Sequence, residues 1–230
     1  EAPPLAVTLN NLGLTHTTLR ALPRAKELLE RALAIHERHR GPDHPLVAGT
    51  AGNLADVLRL MGDLDGAGAL HARAVAITEK TLGPDHVNTA AAANAFGQLL
   101  LDQRRFEDAR QQFERAAAIY ERAGATTHAN YAYPIENLGH VFRATGDLRR
   151  ARQHYERGLR TREIALGPVH RLVSQSLYNL AMVALAIDGC GPAGAILERA
   201  LDVSRQTLAP DHGRIRELGA ALDRCTPRPG

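Results

Sequence analysis

Histidine is the residue whose spacing in this 230-residue chain first suggests chemistry. His44, His86, His128, His170 and His212 stand 42 residues apart. The first, second and fifth follow Pro-Asp, as Pro42-Asp43, Pro84-Asp85 and Pro210-Asp211. A histidine beside a carboxylate can ligate a metal or form an acid/base pair. Either role needs several groups gathered in one place. Here each histidine belongs to its own repeat, roughly 16–20 Å from the next at about 8–10 Å per packed helix. Thr127 and Val169 replace the aspartate in the other two copies. The column therefore reads as loop-packing or helix-capping histidines, and no metal or cofactor is expected.

Other reactive groups are equally dispersed. Cys190 and Cys225 lie 35 residues apart without CxxC or Cys/His ligand spacing, which reads as two reduced thiols of a cytoplasmic protein. No phosphate-binding glycine loop, nucleophile elbow or HExxH helix occurs, so an enzyme is not expected. Arg143, Arg149, Arg150, Arg152, Arg157, Arg160, Arg162 and Arg171 form a basic run that reads as a solvated helical face. Tyr155 is the sole aromatic within it and the net charge is only +3, so nucleic acid is not an expected partner. No apolar stretch is long enough for a membrane span. One polar column remains: Asn11, Asn53, Asn137 and Asn179, with Asn94 one place early in the third copy. It falls beside the apolar stripe. Its amides can donate and accept, either to a ligand backbone or to a neighbouring helix to hold register.

The elements that must position these residues follow from the period. Ala25, Ala67, Ala109, Ala151 and Ala193 recur without exception, as do the small residues Ala32, Ala74, Ala116, Gly158 and Ala200. Leu12, Leu54, Phe96, Leu138 and Leu180 are each followed by Gly or Ala. In the second copy, Leu46, Val47, Thr50, Leu54, Val57, Leu58 and Met61 have the spacing of an amphipathic helix. Gly62-Asp63 stops it and caps a second helix bearing Ala67, Leu70, His71, Ala74, Val75 and Ile77. Gly83 then ends that helix, and Asp85 is expected to cap the next. Gly146-Asp147 repeats this turn, whereas Arg104-Arg105 and Asp188-Gly189 depart from it. Small residues let helix axes approach to about 8 Å, and so a chain that is 4% aromatic with no Trp can still build its core. The expected organisation is five units (1–42, 43–84, 85–126, 127–168, 169–210), a capping helix at 211–225 and a tail at 226–230.

At this point the sequence resembles the tetratricopeptide repeat family. Leu12-Gly13 and Leu138-Gly139 match its Leu-Gly pair, and Ala109 with Phe113 and Ala151 with Tyr155 match its A-x3-F segment. Two departures exist: the period is 42 and not 34, and Glu37, Glu79, Glu121 and Glu163 fill the terminal proline column. Asn10-Asn11-Leu12-Gly13, Arg31 to Glu37 and Gly41-Pro42-Asp43-His44-Pro45 are similar to the units of the kinesin-light-chain subclass. The resemblance implies an all-α, right-handed superhelical solenoid of helical hairpins whose first helices line a concave groove. It implies that the asparagine column faces that groove, with Asp56, Arg59, Gln98, His140 and Arg143 one turn along and Tyr133, Gln175 and Tyr178 from earlier turns. The implied activity is binding of a protein or peptide ligand. Gly49, Gly52 and Ala91 lack the basic side chains that would clamp a terminal carboxylate. Arginine outnumbers lysine 26 to 2, suggesting a bacterial source. The chain starts without Met and is expected to be part of a larger signalling NTPase of the STAND/NB-ARC type, whose other domains would be further partners. The alternatives are a structural scaffold or self-association module, and a cargo-adaptor-like peptide binder.

Overall fold

Each 42-residue period folds as two helices because each supplies two apolar stripes separated by a turn. The computed structural model describes residues 3–225; the tail expected at 226–230 lies outside the described residues. The chain divides into two compact units, Glu1–Gly124 and Ala125–Gly230. The first contains α1 (Pro3–Thr18), α2 (Leu22–Arg40), α3 (Pro45–Met61), α4 (Leu64–Leu82), α5 (Val87–Asp102) and α6 (Phe106–Arg122). The second contains a 3-10 turn (Ala129–Tyr131), α7 (Ala132–Ala144), α8 (Leu148–Leu166), α9 (Arg171–Asp188), α10 (Cys190–Thr207) and α11 (Gly213–Cys225). Among the described residues there is no strand, and the fold is all-α.

In the first unit, α1 packs on α2, α3 on α4 and α5 on α6, while α2 and α4 each also carry the following hairpin. In the second, α8 carries α9, and α11 covers α10. The invariant Ala25, Ala67, Ala109, Ala151 and Ala193 are fully buried. The ends of the α3 stripe are not, since Leu46 and Met61 are exposed. Leu218 and Ala221 are buried on the inner side of α11.

The turn between the helices of a hairpin repeats one backbone conformation. Gly62 and Gly146 have φ of 90° and 86°, and Arg20 and Arg104 hold φ of 60° and 59° in the corresponding places. An arginine thus occupies the left-handed region at which glycine is the least strained residue. In the fifth hairpin the positive φ moves one residue on, to Gly189 at 70°.

Between hairpins, the loop histidines cap the next helix. His44, His86, His128, His170 and His212 each accept a hydrogen bond at Nδ1 from the backbone N–H two residues on, at 3.1–3.2 Å. This corrects the expectation for Asp85: His86 is the cap, and Asp85 accepts from Arg122 at 2.9 Å. Asp43 likewise pairs with Lys80. The residues corresponding to these cations are Ile164 and Gln206, and the aspartates they would face are replaced by Thr127 and Val169. Acid and base are lost together.

The first helix of the fourth hairpin starts late because of Pro134. In an α-helix running from Ala129, residue 134 would have to donate to the carbonyl of Asn130, and proline has no N–H. The backbone makes a 3-10 turn first, and Pro134 falls in the opening turn of α7, where no intrahelical donor is needed.

The cysteines correct a second expectation. Cys190 and Cys225 form a disulfide across a Cα separation of 4.9 Å. Helix α11 runs back along α10, and this return brings the last residue of α11 to the first of α10.

Candidate functional site

The first unit contains a cleft of about 280 Å³ between α3 and α5, floored by α4. From α3 come Pro45, Ala48, Gly49, Gly52, Asn53 and Asp56; from α4, His71, Ala74, Thr78 and Leu82; from α5, Asn88, Ala91, Ala92 and Ala95. The space exists because the wall residues are small. A Cβ built on Gly49 or Gly52 would meet no atom within 4 Å. Each glycine costs a helix interior about 0.5–1 kcal/mol relative to alanine, and neither recovers it by close packing.

The polar groups of the cleft are few. Asp56 Oδ1 is 3.7 Å from both Arg59 Nε and His71 Nε2, beyond hydrogen-bond range. Burial raises the Asp56 carboxyl, while Arg59 pulls it down. Burial, helped by Arg59, lowers the His71 pKa to about 4. Arg59 donates from Nη1 to Asp102 Oδ2 at 2.5 Å, and Gln98 donates to Asp102 Oδ1 at 3.3 Å. Asn53 donates to Asn10 Oδ1 at 2.9 Å, tying α3 to α1, and Asn10 reaches Asn11 Oδ1 at 3.5 Å. The register role therefore falls between the columns of Asn53 and Asn10, which are not corresponding positions. Asn11 is exposed, and Asn94 is half-buried on α5.

In the second unit the expected groove residues mostly engage the protein itself. Tyr133 lies under the Arg162 guanidinium, 5.2 Å from ring centroid to Cζ. His140 shares a 2.8 Å hydrogen bond between Nδ1 and the Tyr155 hydroxyl, and burial lowers its pKa to about 4. Arg143 is exposed nearby, and its charge depresses His140 further. Gln175 accepts from Arg214 of α11 and donates to Asn179 Oδ1 at 3.2 Å. Tyr178 donates to Glu217 of α11, and Arg214 stands over its ring. Asn137 is half-buried. Asn179 departs from the expected column: it is 8% exposed, inside the core edge, and its Nδ2 has no hydrogen-bond partner.

Two polar features escaped the sequence. Glu136 and Arg162 form a buried ion pair at 2.9 Å, 3% and 2% exposed. Arg162 also donates to Ser176 Oγ and to the Leu172 carbonyl, both at 2.9 Å, while Ser176 donates to Glu136. Burial pushes the Glu136 carboxyl up, and Arg162 and Ser176 pull it back. Arg162 is thus no part of a solvated basic face. The pair also explains Gly158 in an otherwise alanine column, since a Cβ there would run into Glu136 Cγ. The signal was a polar column inside the stripe of the second helices: His36, Thr78, Tyr120, Arg162 and Ser204. The second feature is the role of the glutamates in the terminal proline column. Glu37 receives Arg73 at 2.6 Å, Glu79 receives Arg115, and Glu163 receives Arg199, each from the second helix of the following hairpin.

Among the described residues, no three His, Cys, Asp or Glu side chains gather to hold a metal ion, and no helix is long and apolar enough to cross a membrane. Family models described as tetratricopeptide repeat match residues 46–122 and 127–206, and a second one matches residues 5–46. No curated protein matches this sequence. Among solved structures, TPR-like repeats of a Podosopora anserina kinesin light chain candidate are 21% identical, with a TM-score of 0.71 over 90% of this chain and 98% of theirs. BtubC (BKLC) from P. vanneervenii is 21% identical, with a TM-score of 0.68 over 99% of this chain and 85% of its own. The apo form of RapI is 16% identical, with a TM-score of 0.72 over 87% and 70%. At these identities the likeness is one of fold.

Proposed function

Because the chain belongs to the tetratricopeptide repeat family, whose fold is consistent with protein–protein interaction, we propose that it is a non-enzymatic module holding an extended peptide or protein segment against its first helices. The observation that carries this reading is the open cleft between α3 and α5, lined by Asn53, Asp56 and Asn88 among small residues. A peptide laid there would offer its backbone to amides that donate and accept, each bond contributing about 0.5–1.5 kcal/mol. Several in series are needed for useful affinity. In the second unit the residues best placed for this are the exposed Arg143 and the half-buried Asn137. Gln175 and Tyr178 are already held by Arg214 and Glu217 of α11.

The experiment is selection of binders from a random peptide library against the whole chain, followed by hydrogen exchange on the complex. Protection is expected on α3 and α5, with weakened binding in Asn53→Leu and Asn137→Leu at unchanged helicity. Protection confined to α2, α4, α6 and α8, or a library that yields no binder, overturns the groove. The placement of this module as the sensor region of a bacterial signalling NTPase rests on the arginine-rich composition and the family resemblance. A complete reading frame without a nucleotide-binding domain removes it.

A further inference from the structure

We propose that the cleft between α3 and α5 is a receptor for one cationic side chain, lysine or arginine, of the bound peptide, with Asp56 as its counter-ion. This deepens the groove reading and rests on it. The walls are apolar, from Ala48, Leu82, Ala91, Ala92 and Ala95, and suit the methylene stem of such a side chain. Asp56 is the carboxylate of the lining, and neither lysine nor arginine lines the space among the described residues. Arg59 stands behind Asp56 but is committed to Asp102 at 2.5 Å, so one guanidinium serves two carboxylates and a negative charge is left over.

His71 supplies an independent observation. Its side chain is 1% exposed, it lines the cleft, and its Nε2 has no hydrogen-bond partner. A buried polar atom of this kind ordinarily finds a partner. An ammonium or guanidinium drawn to Asp56, 3.7 Å away, brings donors to that nitrogen. With its pKa lowered to about 4, His71 is neutral near pH 7 and adds no charge opposing a cation. Acidic ligands are excluded by the same arrangement, because positions 49, 52 and 91 carry Gly, Gly and Ala in place of basic side chains.

The test uses Nα-acetyl-arginine amide, its neutral isostere Nα-acetyl-citrulline amide and Nα-acetyl-glutamate amide, each titrated into the isotopically labelled chain. Saturable shifts of the Asn53, Ala91, Ala92 and Ala95 amides are expected with the arginine compound, at a Kd on the order of 1 mM. Citrulline and glutamate are expected to bind about ten- to a hundredfold more weakly, the range of a charge-assisted hydrogen bond. Asp56→Asn should reduce arginine binding by the same factor. Gly52→Leu, which enters open space on a helix, should abolish it while the fold is kept. Equal affinity for arginine and citrulline, indifference to either substitution, or no arginine shifts at all overturns the proposal. Because single residues are the probe, these outcomes are separate from failure of the library selection: arginine can bind where no extended peptide does, and a peptide can bind without using the cleft.

Discussion

Gly139 of α7 stands directly against the ring of Tyr155 in α8: a Cβ on Gly139 would lie 2.6 Å from Tyr155 Cε1. Gly97 has the same relation to Phe113, at 2.7 Å. Both rings are fully buried, so neither can swing aside. Where the aromatic is replaced by His71 or Leu197, the partners are Ala55 and Ala181, while the first hairpin keeps Gly13 against Leu29, whose Cγ a Cβ would meet at 2.7 Å. Gly139→Ala is expected to destabilise by about 1–3 kcal/mol through overpacking. Gly52→Ala, entering empty space, is expected to stabilise by about 0.5–1 kcal/mol. Urea unfolding of the two variants reads opposite signs for one substitution.

Arg20 and Arg104 hold the left-handed conformation that glycine holds in the second and fourth hairpins. That conformation costs a residue with a Cβ about 1–2 kcal/mol, partly offset by the greater freedom glycine has when unfolded. Arg104→Gly should raise stability by about 0.5–1 kcal/mol. A lower melting temperature would mean that the arginine side chain makes contacts worth more than the strain.

The buried pair of Glu136 and Arg162 should respond asymmetrically to substitution. Arg162→Ala leaves a carboxylate uncompensated at 3% exposure and is expected to cost about 3–5 kcal/mol. The double variant Glu136→Leu with Arg162→Met removes both charges and should recover most of that loss. Denaturant midpoints of the two variants decide it, and equal losses would show that packing and not charge dominates at this site.

His71 makes stability pH-dependent. Its folded pKa is about 4 against 6.5 for the free side chain, so the unfolded chain takes up the proton first as pH falls. Its contribution is full above pH 6.5 and is lost as the pH drops toward 4, up to about 3 kcal/mol. His140, lowered to the same value, acts in the same direction. Comparing the pH dependence of unfolding in the natural chain and in His71→Gln isolates the effect. Identical slopes between pH 7 and 4 would contradict it.

The hairpins were legible in the sequence because the information that makes them is local. A stripe at helical spacing, a turn at Gly62-Asp63 and a recurring alanine column each depend on residues within one period. The loop histidines were legible as capping or packing residues for the same reason, though not which atom does the capping. Asp85 was misplaced because His86 and Asp85 are adjacent and both can accept.

Much of what only the tertiary structure decided lies between hairpins, and the rest in the packing of one helix on its partner. Arg73 meets Glu37 and Arg115 meets Glu79 at a separation of 36 residues, Lys80 meets Asp43 at 37, and Asn53 meets Asn10 at 43. None of these is the period of 42. Each is the period shifted by the stagger of one hairpin on the next, which packing sets and composition does not show. The cleft between α3 and α5 depends on that stagger, whereas the pair of Glu136 and Arg162 joins α7 to α8 within one hairpin and the disulfide ties α10 to α11. The histidines that first suggested chemistry were fixed locally as caps. Asp56 and His71, on which the proposed receptor rests, are brought together by the packing of α3 on α4.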